Sequence, residues 1–210
     1  MEAVLDLYDE ASDPKRPRVC FDETSKQLVA EVDAPLPMEP GQPARYDYEY
    51  RRAGVANLFV LYSPDGAGGG WRQVAVTEQR RKRDFAQQLK ALVDDYFPEA
   101  ERIRVVLDNL NTHTPAALYE AFAPEEARRL VERLEFVHTP KHASWLNMAE
   151  IELAVLTRQC LQRRIPDAPT LRSEVAAWQQ PRNAAGTCIE WLFRIDDARV
   201  KLARLYPSTS

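Results

Sequence analysis

The chain has 210 residues, a net charge of −4 and a pI near 5.5. This length allows one sizeable hydrophobic core and is short for two, so we predict a single domain over residues 1–210. No apolar run approaches the roughly 20 residues of a membrane span, the N-terminus lacks the pattern of a secretion signal, and the three cysteines lack the spacing of a zinc ribbon or a disulfide framework. We therefore expect a cytoplasmic protein with no membrane partner.

The acidic balance argues against a protein that binds nucleic acid over a wide surface. Basic residues nevertheless cluster in three places: 51–52, 80–83, and Arg158 with Arg163 and Arg164. Such clusters are either solvated helix faces or local phosphate contacts, and the sequence leaves both interpretations open.

The first part of the chain predicts a helix, a strand, a loop and a hairpin. The helix covers residues 1–13, and the apolar strand after it covers 17–22. The segment that follows is rich in proline and turn residues and predicts a long insertion loop at about 24–54, of a kind that is usually functional or mobile. Strands at 55–62 and 71–76, joined by SPDGAGGG, predict the hairpin.

The middle of the chain predicts alternating helices and strands. Apolar residues at helical spacing predict a helix at 82–96, and a continuous apolar run predicts a strand at 103–107 that is buried on both faces. Two short helices at 115–122 and 124–134 and a short strand at 135–137 follow. The element order indicates an α/β fold with a mixed central sheet flanked by helices.

The last part of the chain is predicted to be mainly helical. A long helix runs from Trp145 to about Arg163, with Ser144 as its N-cap. A helical C-terminal extension covers about 165–210. It contains two helices and one strand, predicted at 170–183, 196–205 and 188–193, respectively.

Three acidic residues stand out by their positions in these elements. Asp22 follows the apolar run of RVCFDE, Asp108 follows that of IRVVLDN, and Glu150 lies in the helical segment SWLNMAEIELAVL. Carboxylates from two strand ends and a helix can converge on Mg²⁺, and ions roughly 3.5 to 4 Å apart support phosphodiester chemistry. Any single one of them is more often an ordinary surface acid, so the hypothesis depends on the set.

The third acid has a competitor two residues away. Glu150 and Glu152 point about 200° apart around a helix, so only one of them can face the site. The apolar pattern around them does not choose between the two. Glu23 is a reserve candidate that should point away from Asp22 on a continuous strand, and isolated histidines such as His113 are left out as ligands, because they more often satisfy a loop or a core edge.

Several segments together resemble the DDE transposases of the bacterial insertion sequence 630 family, which is related to the mariner superfamily. They are VCFDETSKQL, VVLDNLNTHTP, HTPKHASWLNMAEIE and ARLYPS, and the resemblance covers nearly the whole chain. It implies a ribonuclease H-like fold, in which the first and fourth strands are neighbours and place Asp22 beside Asp108. The family motif for the last catalytic acid matches SWLNMAE and selects Glu150.

The resemblance also implies an activity. Asp22, Asp108 and Glu150 would be the catalytic residues and the ligands of Mg²⁺ or Mn²⁺, with two ions expected. The chain would act as an endonuclease and strand transferase on double-stranded DNA, at transposon ends and at target DNA, in association with the nucleoid. The competing hypotheses are a catalytically silent relic that binds DNA or itself, and an enzyme that cleaves RNA in RNA·DNA hybrids.

Four further residues are candidate DNA contacts. Lys141, Trp145 and Asn147 cluster before Glu150, and a lysine beside an aromatic residue suits DNA; the alternative for Trp145 is packing at the helix start. Asn109 either orients Asp108 or a phosphate, or simply forms the turn after the strand.

The resemblance further implies partners. The position of the insertion loop suggests a homodimer in the DNA complex. The N-terminal helix-turn-helix region of the family, which recognises transposon ends, is missing from this sequence, so we expect poor binding to specific ends. A separately translated fragment, a truncated element and a recombinant fragment are the alternatives that the sequence leaves open.

Overall fold

The fold is built on one mixed sheet. The computed structural model describes residues 1–33, 38–43, 48–66 and 69–206. Its strands are β1 (Arg18–Glu31), β2 (Tyr50–Gly66), β3 (Gly69–Thr77), β4 (Ile103–Leu107) and β5 (Leu134–His138). The five strands of the described residues lie in the order β3-β2-β1-β4-β5, with β1 parallel to β4 and antiparallel to β2.

Helices cover both faces of this sheet. They are α1 (Glu2–Asp9), α2 (Lys82–Ala91), α3 (Ala116–Ala121), α4 (Pro124–Arg133), α5 (Met148–Leu156), α6 (Ala168–Ala184) and α7 (Ile195–Lys201). Single π-helical turns at Leu92–Tyr96 and Thr157–Leu161 continue α2 and α5. In the described part of the chain, no helix is long and apolar enough to cross a membrane.

Side chains alternate between the two faces of the central strands, as strand geometry requires. Phe21 of β1 belongs to the core beneath α2, α3 and α4. Its neighbour Cys20 belongs to the core on the opposite face, with residues of α1, α5 and α7. The strand β4 is buried along its whole length, as its apolar sequence, interrupted only by Arg104, predicted. The mixed α/β arrangement predicted from the element order is confirmed.

The predicted insertion loop at 24–54 is wrong at both ends. β1 continues to Glu31 and β2 begins at Tyr50, and these two residues are paired across the ladder. Contacts from the distant C-terminal part stabilise the extension, because Lys26 Nζ donates to the carbonyl oxygen of Leu161 at 2.6 Å and Val29 N donates to that of Ile165 at 2.8 Å. The remainder of the predicted loop includes 34–37 and 44–47, which lie outside the described residues.

Two local predictions in the second half are also wrong. Residues 188–193 form no strand, because they run over the sheet as irregular chain in which Ile189 N donates to Tyr62 Oη at 2.7 Å. The helix expected to begin after Ser144 begins instead at Met148, with Asn147 as its N-cap. A short 3₁₀ turn over Ser144–Leu146 precedes it.

A buried ion pair joins the start of β1 to the end of β2. Arg18 Nη2 lies 2.5 Å from Asp65 Oδ1, and both side chains are almost fully buried. The Nη1 atom of Arg18 also donates to the carbonyl oxygens of Leu7, Tyr8 and Glu10. This guanidinium therefore satisfies the C-terminal carbonyls of α1, which α-helices leave without partners.

We expect Arg18→Met to lower the free energy of unfolding by about 3 to 5 kcal/mol, because it leaves the Asp65 carboxylate buried without its partner. Urea unfolding at pH 7 measures this change. The matched control is Arg16→Met, since Arg16 is half exposed and pairs with Glu135 at 3.4 Å; a surface pair of this kind contributes at most about 1 kcal/mol. Equal losses in the two variants would contradict the prediction.

Candidate active site

Asp22 and Asp108 lie side by side on the two neighbouring interior strands, β1 and β4. The parallel register pairs Cys20 with Val106, and two further residues along each strand reach the two aspartates. Asp22 is nearly buried within β1, whereas Asp108 follows the last residue of β4 and is partly exposed. Of the two, Asp108 lies at the carboxyl end of its strand, a position where α/β proteins commonly place functional groups.

Asn147 fixes the helix that carries Glu150. Its Nδ2 atom donates to the carbonyl oxygen of Phe21 at 2.8 Å, and its Oδ1 atom accepts from Ala149 N at 3.1 Å. The first contact lies one residue before Asp22, so the N-terminus of α5 is attached to β1 next to that aspartate. The prediction that Asn147 contacts DNA is wrong, because its side chain is 0% exposed.

Glu150 and Glu152 have opposite environments. Glu150 lines an open cleft of about 450 Å³ together with Asp22, Glu23 and residues further along α5. Glu152 is 1% exposed and lies 3.3 Å from Arg72 Nε and 3.2 Å from Arg182 Nη2. The apolar pattern left the choice between the two glutamates open. The structure places Glu150 in the cleft and Glu152 in a buried ion cluster.

The acids of the cleft influence one another. The pKa of Asp22 rises from its ordinary value of 3.8 to about 7, chiefly because burial disfavours the charged form. The negative charges of Glu150, Asp108 and Glu23 raise it further, against the lowering effect of a hydrogen bond from Glu23 N. Four carboxyl groups from β1, the end of β4 and α5 thus share one region of unfavourable negative potential.

His113 connects two of these acids. Its Nδ1 atom lies 2.6 Å from Asp108 Oδ1, and its Nε2 atom lies 2.9 Å from Glu23 Oε2. The ring is 1% exposed and stacks on Phe85 of α2 with centroids 4.7 Å apart. Burial lowers the pKa of His113, but the hydrogen bonds and charges of Glu23 and Asp108 outweigh it, so the pKa is raised. A neutral ring has one N–H, so only the imidazolium donates to both carboxylates.

The sequence did not predict this histidine bridge. Isolated histidines more often satisfy a loop or a core edge, and Glu23 was only a reserve candidate because it should point away from Asp22 on a continuous strand. The one available signal was the DNLNTH segment, which places His113 five residues after Asp108.

The donor set suits Mg²⁺ or Mn²⁺ in its chemistry. Asp22, Asp108 and Glu150 supply the hard oxygen ligands that such ions prefer, and a cation would relieve the repulsion that raises the pKa of Asp22. Among the described residues, no three His, Cys, Asp or Glu side chains are already arranged as a metal site. Asp108 Oδ1 is turned instead towards His113 and the backbone N–H of Leu110.

The other predicted DNA contacts lie on the surface beside Asp108. Asn109 and Lys141 are exposed and line a groove with Asp108. Lys141 and Trp145 line a neighbouring cavity of about 720 Å³. Trp145 is 44% exposed and also packs edge-on against Phe193, with centroids 5.4 Å apart. Its indole therefore both stabilises the start of the helix and remains accessible.

Comparison with protein families assigns the chain to a class. Residues 17–172, more than half of the chain, match the family described as DDE superfamily endonuclease. The chain therefore belongs to this family. A comparison with curated proteins gave no match.

Solved structures of Mos1 transposase share the fold. The Mos1 transposase paired-end complex with left transposon end has a TM-score of 0.55 and 20% identity, over 85% of this chain and 52% of that one. The Mos1 mariner paired end complex with Mn gives 0.55 and 20%, over 86% and 52%. The Mos1 Strand Transfer Complex gives 0.56 and 19%, over 85% and 51%. The chain spans about half the length of these relatives, and the similarity shows the ribonuclease H-like fold.

We expect Asp22→Asn to stabilise the chain at high pH. Because the pKa of Asp22 in the folded state is about 7 rather than 3.8, the folded state retains a proton that the unfolded state loses as pH rises between these values. Stability therefore falls across this window, by about 4 kcal/mol, and asparagine removes the loss. Urea unfolding of both proteins at pH 4 and pH 8 measures it.

The matched control for this experiment is Asp95→Asn, which makes the same chemical change at an exposed position of the first π-helical turn. It should not reproduce the pH-dependent gain in stability. An Asp22→Asn variant that is no more stable than wild type at pH 8 would show that the charge of Asp22 does not lower the free energy of unfolding.

Proposed function

We propose that this chain is the catalytic domain of a DDE transposase, in which Asp22, Asp108 and Glu150 are the catalytic acids. The supporting observation is that Asp22 of β1 and Glu150 of α5 line one cleft, and that Asp108 follows β4, the parallel neighbour of β1. Burial, and after it the charges of Glu150 and Asp108, raise the pKa of Asp22. Membership of the DDE endonuclease family supports the same conclusion. The narrower assignment to the insertion sequence 630 family is part of the proposal and depends on the sequence motifs.

The proposed reaction is cleavage at transposon ends followed by strand transfer into target DNA. Two bound Mg²⁺ or Mn²⁺ ions would activate a water or a DNA 3′-hydroxyl and stabilise the leaving oxygen. The three acids would hold these ions, and Mn in a Mos1 paired end complex supports the choice of metal. Asn147 positions Glu150 through β1, and His113 orients Asp108.

The proposed partner is double-stranded DNA. Asn109 and Lys141 are accessible in the groove beside Asp108, and Trp145 is accessible in the neighbouring cavity that Lys141 also lines. These three residues are the proposed contacts on that side of the acids. Transposon ends in the Mos1 complexes support this kind of substrate. A homodimer in the DNA complex, recognition of specific ends by a helix-turn-helix region and a cytoplasmic, nucleoid-associated location complete the proposal.

We expect Asp22→Asn, Asp108→Asn and Glu150→Gln each to reduce Mn²⁺-dependent nicking of supercoiled plasmid by at least about a hundredfold. Loss of a direct ligand should exceed the roughly 10- to 100-fold cost of losing an outer partner of a metal site. Gel quantification of nicked plasmid measures the rate. The controls are Asp95→Asn and Glu125→Gln, which make the same changes at exposed positions and should nick normally.

Two outcomes would contradict the proposed function. If the three variants nick as wild type does, the acids are not catalytic. If the wild-type chain neither nicks DNA nor binds Mn²⁺ in calorimetric titration, the domain is a silent relic. A preference for RNA·DNA hybrids over duplex DNA would indicate a ribonuclease instead.

The two amide substitutions of His113 test its proposed positioning role. Asparagine keeps a donor near Nδ1, which faces Asp108, whereas glutamine keeps a donor near Nε2, which faces Glu23. Both lose the stacking on Phe85, so their stabilities should fall together. We expect His113→Gln to weaken Mn²⁺ binding and nicking by roughly 10- to 100-fold and His113→Asn to retain most of both. Equal effects would indicate that the ring only packs.

A further inference from the structure

The basic cluster at residues 80–83 leaves most of its charge without an internal partner. It consists of three arginines and one lysine in succession. Lys82 pairs with Glu120 at 2.6 Å. The three arginines are exposed and make no ion pair within the described part of the chain; they are Arg80, Arg81 and Arg83. Three free guanidinium groups are thus concentrated at the start of α2.

The stability of the fold does not explain these charges. The helix α2 begins at Lys82, so the arginines lie at its N-terminal end, where the helix dipole is positive and disfavours further positive charge. The carboxylate of Asp84 suits this end of the helix, and its Oδ2 atom accepts from Arg81 N at 2.8 Å. The neighbouring guanidinium groups repel one another and the helix dipole, so an external anion would relieve an unfavourable local arrangement.

The cluster lies at the end of the sheet that carries the acids. The strand β3 ends at Thr77, which pairs with Asn57 of β2. Asn57 lies opposite Ser25, three residues beyond Asp22 on β1, and its Oδ1 atom accepts from Ser25 Oγ at 2.8 Å. Its Nδ2 atom donates to the carbonyl oxygen of Glu78 at 3.0 Å. The chain therefore enters the cluster from the same end of the sheet as Asp22, and the Asn57 amide fixes its path.

A second contact joins the start of α2 to the acids. Phe85 lies in the first turn of α2 and stacks on His113 with ring centroids 4.7 Å apart. His113 in turn contacts Asp108 and Glu23. Phe85 is two residues after Arg83, so the cluster begins within one helical turn of the histidine bridge. This side of the acids is the face of the sheet opposite to α5.

The chemistry of the cluster fits a phosphate backbone. Guanidinium groups bind phosphate oxygens through two parallel hydrogen bonds, and such contacts position a duplex without reading its sequence. The proposed transfer reaction uses two kinds of duplex, which are transposon ends and target DNA. Recognition of the ends is assigned to a separate helix-turn-helix region, so sequence-independent contacts beside the acids fit the target duplex.

We propose that Arg80, Arg81 and Arg83 bind the phosphate backbone of target DNA on the His113 side of the acids. The bound phosphates would neutralise the charges that the dipole of α2 disfavours, so binding and the local fold favour the same state. The inference rests on the proposed function, because only a strand transferase has a target duplex.

The test compares Arg80→Ala/Arg83→Ala with Arg102→Ala/Arg172→Ala. Each double variant loses two exposed arginines that have no ion pair in the described residues, and Arg102 precedes β4 at the end opposite to Asp108. Fluorescence anisotropy with a labelled random-sequence duplex of about 30 base pairs, at about 50 to 200 mM KCl, gives the affinity and its salt dependence. Arg80→Ala/Arg83→Ala should bind at least about tenfold more weakly, with a salt slope smaller by about two. The control should match wild type.

Two further measurements separate a DNA contact from effects on the fold and on the metal site. Arg80→Ala/Arg83→Ala should unfold at the same or a higher urea concentration than wild type, because fewer cations oppose the dipole at the start of α2. Calorimetric titration with Mn²⁺ should give the wild-type affinity, because a phosphate contact leaves the metal ligands unchanged.

Several results overturn the inference. Duplex binding equal to that of the control variant shows that the arginines do not contact DNA, and a loss confined to an RNA·DNA hybrid of the same sequence assigns them to another ligand. Lower stability or altered Mn²⁺ affinity of Arg80→Ala/Arg83→Ala assigns them to the fold or to the metal site. The proposed function fails by a different result, which is normal nicking by the variants of the three acids.

Discussion

The parallel pairing of β1 with β4 places Asp22 and Asp108 at equivalent positions along neighbouring strands. Their negative charges repel each other there. The cost of this grouping appears in the pKa of Asp22, which burial and, after it, the charges of Glu150, Asp108 and Glu23 raise to about 7. A stable fold would ordinarily avoid this grouping of acids, because burial of a charge without a partner is unfavourable. Grouped acids with perturbed pKa values are typical of functional sites, and a divalent cation is the ligand that would remove the cost.

The surrounding elements support these acids from several directions. His113 shares its ring nitrogens between Asp108 and Glu23, and Asn147 ties the start of α5 to β1. On the far side of the same helix, Glu152 contacts arginines of β3 and α6. Removal of one partner from such a buried ion cluster is strongly destabilising, so α6 contributes to the placement of Glu150 although it lies outside the cleft.

The net charge of −4 is compatible with local binding of a phosphate backbone, because individual cations lie close to the acids. Several arginines and lysines of the three basic clusters form ion pairs, such as Lys82 with Glu120. Lys141 lines the groove beside Asp108, whereas Arg158 lies on the side of Glu150. Exposed cations therefore lie on both sides of the acids.

The sequence by itself determined the order of most strands and helices, the exact extent of β4 and the three acids of the proposal, because apolar periodicity and short motifs are local properties of the chain. Tertiary structure alone decided the length of β1, the irregular path of 188–193, the buried role of Asn147 and the bridge from His113 to Glu23. Each of these depends on a partner far away in the chain, such as Phe21 for Asn147 or Leu161 for Lys26. The orientation of Glu150 towards the cleft was likewise fixed by packing, since an isolated helix has no preferred side on which to present either of two neighbouring acids.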